Sequence, residues 1–490
     1  MGLTLIIRQF LLRSGLLFLV KTIGAIGRIL LFRFFGAEGM GLYQMVYAFY
    51  GLVLTLVTAG LPTSLSLSTA KNVHNGIQLL KISVIFSCLL GGVATIISYT
   101  YAETIASWYG DSELTWAIRL LSPVFLFVPH LHLLRGFFQG IELYGVISFS
   151  ELIEQVVRII TMLILVNLWF SYGVSIAVGG AILGAVLGGL CALLFFIGVF
   201  IYYYKKLRYN SLRSPYHNTE ISSFLKISFS VLATRLLLPL TDFIDSLLIP
   251  NRLMHSGLTA HQSTIIYGEI TGMALTIVYL PTMVTSAFLH VIIPKIAGNW
   301  EKNNLKQFKN RVNKAMNAGW LWGISTSLYF FLYGQNISEA ITGNGSLTYP
   351  LICLSLIPLL SGIRDISTNI LWVKGREKAP LVGVVLGSFV SIIINYCLVG
   401  IPSYQYSGIV IGILSFEIIS LIWNIKYIKS FLSLAIYIES VIFLGLFYAL
   451  ANILERLPFS NLFIHGVLYF GCLSIYFLLR FSKNVIYISR

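Results

Sequence analysis

Apolar runs of about twenty residues recur along the chain, separated by short clusters of charge, glycine or proline. A helix rises 1.5 Å per residue and the hydrocarbon core of a bilayer is about 30 Å thick, so about 20 apolar residues make one crossing. The stretch 176–204 carries no charge before Lys205, and a soluble core helix of that length would show a polar face. Counting runs between breaks predicts about fourteen helices. Their centres fall near Val20, Leu54, Leu90, Phe125, Leu163, Val186, Leu236, Val278, Ser325, Leu359, Phe389, Ile413, Phe443 and Leu468. The expected fold is therefore an all-α polytopic membrane protein whose short loops leave no room for a soluble domain.

Composition agrees. The chain is 57% hydrophobic and 10% charged, against roughly 25% charged in soluble domains. The net charge of +15 would suggest nucleic acid in a soluble protein, but here the cations sit in short loops and orient the helices. With the N-terminus in the cytoplasm, the inner loops contain Lys71 and Lys81; Arg135; Lys205, Lys206, Arg208 and Arg213; and Lys302, Lys306, Lys309, Arg311 and Lys314. They continue with Lys374, Arg376 and Lys378; Lys426 and Lys429; and Arg480, Lys483 and Arg490 in the tail. The outer loops hold little beyond Arg33, Arg252 and Arg456. A miscounted helix would invert this bias downstream, and no inversion occurs, so both termini are expected in the cytoplasm. Arg8 and Arg13 precede an apolar run that continues to Phe35 without a short core and cleavage site, which predicts a retained first helix rather than a signal peptide.

The halves echo one another. Gly51-Leu-Val-Leu-Thr-Leu-Val57 precedes Leu61-Pro-Thr63, and Gly272-Met-Ala-Leu-Thr-Ile-Val278 precedes Leu280-Pro-Thr282. Pro123 to Gly140 likewise echoes Pro358 to Gly375. An even number of helices lies between the echoes, so the halves share orientation, as in transporters built from parallel repeats. The expected division is a six-helix lobe at 1–212, a second at 213–429, and two further helices with a tail at 430–490. Two facing lobes would enclose a cavity and expose it alternately to each side.

Leu31-Phe-Arg-Phe-Phe-Gly-Ala-Glu-Gly-Met-Gly-Leu-Tyr-Gln44, with Arg135-Gly-Phe-Phe-Gln-Gly140 and Ser150-Glu-Leu-Ile-Glu-Gln-Val-Val-Arg158, resembles signatures of the polysaccharide-exporter branch of the multidrug/oligosaccharidyl-lipid/polysaccharide flippase superfamily. Within it the chain is most similar to the stage V sporulation protein B-like group of spore-forming Gram-positive bacteria. The resemblance covers nearly the whole chain. It implies two six-helix lobes in a V with two extra helices, and a lipid-linked oligosaccharide or peptidoglycan precursor as cargo. One departure is plain: related lipid II flippases carry arginine in the second helix, whereas Met45 to Ser68 contains no basic residue.

A charge in hydrocarbon costs about 2.5–3.5 kcal/mol on insertion scales, so intramembrane ions mark sites. Lys21 and Arg28 stand seven apart on one face of the first helix and together suit a pyrophosphate. Arg235 and Asp242 repeat that spacing in helix seven, with Asp245 one turn on. The resemblance makes Arg235 a cargo contact, and the aspartates suit ion pairing or a coupling cation through oxygen ligands. Arg364 and Asp365 are adjacent in helix ten and so point about 100° apart. Glu151, Glu154 and Arg158 form one stripe in helix five, with an internal ion pair and a structural or gating role. The expected sets are Lys21, Arg28, Arg235 and Arg364 for substrate, and Asp242, Asp245, Asp365, Glu151, Glu154 and Arg158 for coupling or gating. Glu417 and Glu439 receive no role.

His130 and His132 point to different faces, which is poor metal spacing. The five cysteines lie in apolar stretches with no CxxC pair and no evident histidine partner, so neither a metal nor a disulfide framework is expected. With no nucleotide loop or nucleophile elbow, the sequence predicts no enzyme and no cofactor; transport would draw on a Na⁺ or H⁺ gradient or the membrane potential. A membrane polymerase would need a large polar outer loop, and the longest, about 251–263, is too small. The competing reading is a cation-coupled drug exporter of the same fold, which would need a more acidic cavity. Undecaprenyl-pyrophosphate-linked glycan and the bilayer are the expected partners, without nucleic acid, and a monomer suffices.

Overall fold

The computed structural model describes residues 2–210, 218–428, 440–442, 444–446, 448–449, 452–453 and 462–482. Arg213, Lys429, the helix centre at Phe443, Arg456, Lys483 and Arg490 lie outside the described residues, as do the side chains of Arg8, Arg13, Lys205, Lys206, Arg208 and Arg480. Every described element is helical. They are α1 (Gly2–Thr58), α2 (Leu61–Lys71), α3 (Val73–Thr100), α4 (Ala102–Tyr109), α5 (Leu114–Leu121), α6 (Val124–Gly140), α7 (Tyr144–Trp169), α8 (Val174–Asn210), α9 (Asn218–Arg235), α10 (Leu237–His255), α11 (Ala260–Tyr267) and α12 (Leu275–Tyr279). There follow α13 (Thr282–Glu301), α14 (Leu305–Thr342), α15 (Thr348–Cys353), α16 (Ile357–Val373), α17 (Lys378–Val399), α18 (Gln405–Ile428) and α19 (Leu462–Ser482). A π-helical turn, Gly268–Ala274, joins α11 to α12.

Among the described residues, seven helices are long and apolar enough to cross a membrane, or nine if each of two bent pairs is one span. Some predicted spans are merged or broken. Helix α1 covers two predicted helices: Gly36 (φ 68°, ψ −164°) turns the chain in a conformation closed to side chains with a Cβ. Helices α5 and α6 meet at Pro123 with a 43° bend. With these joined or split, every predicted centre but Phe443 falls in, or at the break of, a described helix. Both Leu-Pro-Thr copies begin a helix after a break, α2 and α13, and the second echo becomes two proline-initiated helices of equal length, α6 and α16. The predicted outer loop at 251–263 shrinks to four residues. Helix α10 runs on to His255, and Thr259 and Gln262 close a reciprocal capping box at the start of α11.

The helices pack as two compact units, one of residues 1–273 with Asn395–Gln405, the other of 274–394 with 406–490. Helices α9 to α11 thus pack with the first unit: Asn251 donates to the Trp108 carbonyl at 2.9 Å, and Ser246 to the Tyr109 hydroxyl at 3.3 Å. The repeat boundary at 212 is a statement about sequence likeness, and packing need not divide the chain there.

Apolar helices gain little from meeting each other in lipid, so close approach of small residues and polar links hold them. In the first unit, added Cβ atoms at Gly184 and Gly188 of α8 would lie 2.7 and 2.6 Å from the carbonyl oxygens of Arg158 and Glu154. In the second, Cβ atoms at Gly383 and Gly387 of α17 would lie 3.3 and 2.8 Å from the carbonyls of Ser420 and Phe416 in α18. Each pair is spaced by four, one face of a helix, and lets a neighbouring backbone approach.

Candidate functional site

Both glycine pairs seat a helix that carries buried charge. In the first unit, Glu154 of α7 accepts from Arg158, one turn on, and from Arg135 at the end of α6 at 2.8 Å. Arg135 also donates to Ser150 Oγ at 2.8 Å, and Arg158 to the Tyr47 hydroxyl at 3.2 Å. Tyr47 stacks on Tyr43 with ring centroids 5.4 Å apart, and Arg28 lies 5.6 Å from the centre of the Tyr47 ring. Arg28 also donates to Gln44 at 3.4 Å. Sixteen residues of straight helix would span about 24 Å, so this contact exists because the chain folds back at Gly36. Arg28 and Tyr47 stand roughly 12–17 Å along their arms from that turn, close to half the hydrocarbon thickness.

Two arginines thus meet at one carboxylate, and a third, Arg28, joins the same cluster through the Tyr47 ring. With Glu151, one turn before Glu154, the formal count is still three cations against two anions. His132 is within electrostatic reach of Arg135, Glu154 and Arg235, which brings Arg235 to the margin of the cluster. Lys21 is exposed and forms no ion pair among the described residues.

Arg235 and Asp242 are not ion-paired among the described residues, despite their spacing. Pro239 has no N–H to offer the Arg235 carbonyl, and α9 and α10 divide near it. Asp245 instead accepts from Asn395 Nδ2 at 3.1 Å, with Asp242 one turn away on the same helix. In the second unit, Arg364 of α16 pairs with the fully buried Glu417 of α18 at 3.0 Å and with Asp365 at 3.4 Å. Tyr279 donates its hydroxyl to the other Glu417 oxygen. Arg364 is thus matched by two carboxylates, and little of its charge is left for an anionic cargo. Asn424 ties α18 to α16 through Ser367 and Thr368 at 3.0 and 2.9 Å.

A scan of family sequence models matches residues 7–300 to the family described as polysaccharide biosynthesis protein. The chain belongs to that family. Stage V sporulation protein B of Bacillus subtilis (strain 168) is 24% identical over 86% of this chain and 82% of its own length. The lipid II flippase MurJ of the same organism is 26% identical over 80% of this chain and 77% of its own. A solved structure of the lipid II flippase MurJ, in an inward closed conformation, superposes with a TM-score of 0.74 at 16% identity, covering 97% of this chain and all of that one. This family member therefore shares the flippase fold and is a multi-pass membrane protein, as its apolar helices require.

Of the residues expected from sequence, Arg28, Glu154 and Arg158 come together in this cluster, with partners that the sequence pattern does not announce. Arg135, a loop cation by sequence, has a side chain that is 13% exposed and held by Glu154. Glu417, left without a role, is the most deeply buried carboxylate of its cluster. Tyr47, Tyr279 and Asn395 carry no charge pattern that could announce them. One signal was available: glycine at every fourth place through Gly180, Gly184 and Gly188 marks a close helix contact. One cysteine has a histidine neighbour that sequence spacing does not show. Cys88 Sγ lies 3.2 Å from His130 Nε2, while His130 Nδ1 lies 2.6 Å from the Leu126 carbonyl. The two residues are 42 apart in sequence, so only packing of α3 on α6 brings them together.

Proposed function

We propose that this protein is a flippase moving a lipid-linked oligosaccharide or peptidoglycan precursor across the bacterial cytoplasmic membrane by alternating access, for spore cortex or cell-envelope synthesis. The observation that carries the proposal is the cluster in the first unit in which Arg135 and Arg158 hold Glu154 and Arg28 joins them through Tyr47. Arg28, Arg135 and Arg158, with Arg235 at the margin and Lys21 on the same face of its helix as Arg28, supply the charge that an undecaprenyl-pyrophosphate headgroup lacks in low dielectric. The prenyl tail stays in lipid. Both termini lie in the cytoplasm on the loop-charge bias, and the repeat lobes 1–212 and 213–429 are the moving bodies, with 430–490 attached.

Asp245, held by Asn395, and Asp242 one turn away are the groups assigned to Na⁺ or H⁺ coupling. The Arg364–Glu417–Asp365 cluster is assigned to holding its own helices, outside the cargo set. Relatives named for sporulation and for lipid II transport support the cargo class.

The test is translocation of a fluorescent undecaprenyl-pyrophosphate sugar in proteoliposomes, with wild type against Arg28→Ala, Arg158→Ala and Lys21→Ala at equal protein levels. Flipping by wild type and at least a tenfold loss in the arginine variants is the expected result, since a tenfold change corresponds to about 1.4 kcal/mol. A silent wild type that exports a lipophilic cation under a Na⁺ or H⁺ gradient replaces this reading with the drug exporter.

A further inference from the structure

A second basic site lies in the other unit, at the end where its cationic loops meet. Helix α14 has 38 residues and is about 57 Å long, nearly twice the hydrocarbon thickness, so its first turns extend beyond the core. Those turns are amphipathic. Phe308, Val312, Ala315 and Met316 are buried against Ile366, Ile370 and Leu371 of α16, while Lys306 and Lys309 stay exposed. Between the end of α13, the start of α14 and the end of α16 lies a cavity of about 530 Å³, lined by Trp300, Phe308, Lys309, Asn313, Lys374 and Arg376 among others. Lys374 is pre-positioned, bonded to the Ile428 carbonyl at 3.2 Å with its ammonium 6.0 Å from the Phe308 ring centre.

The surroundings reinforce the charge. Stretches 300–314, 370–378 and 420–428 contain nine lysines and arginines (302, 306, 309, 311, 314, 374, 376, 378, 426) and two acids, Glu301 and Glu377, a net of 9 − 2 = +7. Three cations on an aromatic and aliphatic floor, at the end of a membrane-spanning unit, fit an anion attached to something apolar. Basic pockets between membrane helices on the cytoplasmic side hold anionic headgroups, and tryptophan favours that depth.

We infer that this cavity binds the phosphodiester headgroup of an anionic bilayer lipid, with Lys309, Lys374 and Arg376 as its ligands and Trp300 and Phe308 against its glycerol and upper acyl region. The site uses none of the residues assigned to transport, so it stands whether or not that reading does.

The test is native mass spectrometry of the full chain in neutral detergent with phosphatidylglycerol or phosphatidylcholine at equal concentration. Wild type is expected to retain phosphatidylglycerol in preference to phosphatidylcholine. Lys309→Gln with Arg376→Gln, both exposed and so compatible with folding, should weaken that retention roughly tenfold. Lys302→Gln, on the same end but outside the cavity lining, should leave it unchanged, and all variants should keep wild-type circular dichroism. Equal retention of the two lipids, or loss equal in Lys302→Gln, overturns the inference. Displacement of the lipid by millimolar inorganic phosphate overturns the lipid assignment and makes the site one for a soluble phosphate.

Discussion

The two units bury the same kinds of residue at mid-helix and balance them oppositely. In the first, Glu154 faces two arginines, with a third on the Tyr47 ring. In the second, Arg364 faces two carboxylates, Glu417 and Asp365. Each cluster includes a tyrosine hydroxyl and is backed by a glycine pair on the neighbouring helix. The difference lies in what is left over. A surplus cation within the membrane calls for an anion, whereas a surplus carboxylate calls for a proton or a cation. Similar helix packing thus presents opposite electrostatics, and only the first suits a pyrophosphate.

The sharpest way to break this comparison is to remove each central carboxylate. Glu154→Ala removes the carboxylate that Arg135 and Arg158 share among the described residues, and should cost about 3–5 kcal/mol. Glu417→Ala leaves Arg364 with Asp365 still 3.4 Å away, so its loss should be smaller. Thermal unfolding in detergent reads both, and equal losses would mean that the charge balance of the clusters does not differ. Next comes the glycine seat. Gly188→Leu forces α8 from the Glu154 carbonyl and should cost about 1–3 kcal/mol by overpacking, with a fall in flipping greater than that of a surface control such as Lys302→Gln.

Asp245→Asn is expected to change stability by no more than about 1 kcal/mol, since an amide can still bond to Asn395. Transport should nonetheless lose its dependence on a cation gradient, which proteoliposomes with and without a Na⁺ or H⁺ gradient will show. Retained dependence would move coupling elsewhere, with Asp365 beside Arg364 the next place to test.

The smallest effect concerns the ends of the first unit rather than its middle. Glu113 lies between α4 and α5, and partial burial, then the neighbouring Asp111 and Glu38, raise its carboxyl above the ordinary range, with His261 opposing. His261 itself lies 3.2 Å from Glu38. The folded state therefore favours the protonated form of Glu113, and that contribution is lost as pH rises through its raised folded value. Glu113→Gln should hold the favourable neutral form at pH 7 and raise stability by at most about 0.5 kcal/mol, the range for exposed sites. A clear loss of stability on unfolding at pH 7 would show that the charge is needed there.

Much of the fold was legible because lipid imposes it. Each crossing needs its own apolar length and must satisfy its backbone within the helix, so Ile176 to Tyr204 reads as a span in any context. Stripes within one helix were legible for the same reason: Glu154 and Arg158 are paired by the helix period alone. Arg235 and Asp242 share a face but stand two turns apart, about 10 Å along the axis, too far for a direct ion pair. Arg135 was misplaced because a charge at a helix end looks the same in sequence whether it faces water or a partner.

The sequence by itself determined the membrane class and the succession of helices, since both follow from local length and from the cost of charge in hydrocarbon. Tertiary structure alone decided which ions meet. Arg28 reaches Tyr47 because Gly36 folds the chain back, Arg135 reaches Glu154 because α6 lies against α7, and Glu417 claims Arg364 from 53 residues away in sequence. Charge surplus is a property of such groupings, and a grouping exists only once helices distant in sequence have packed.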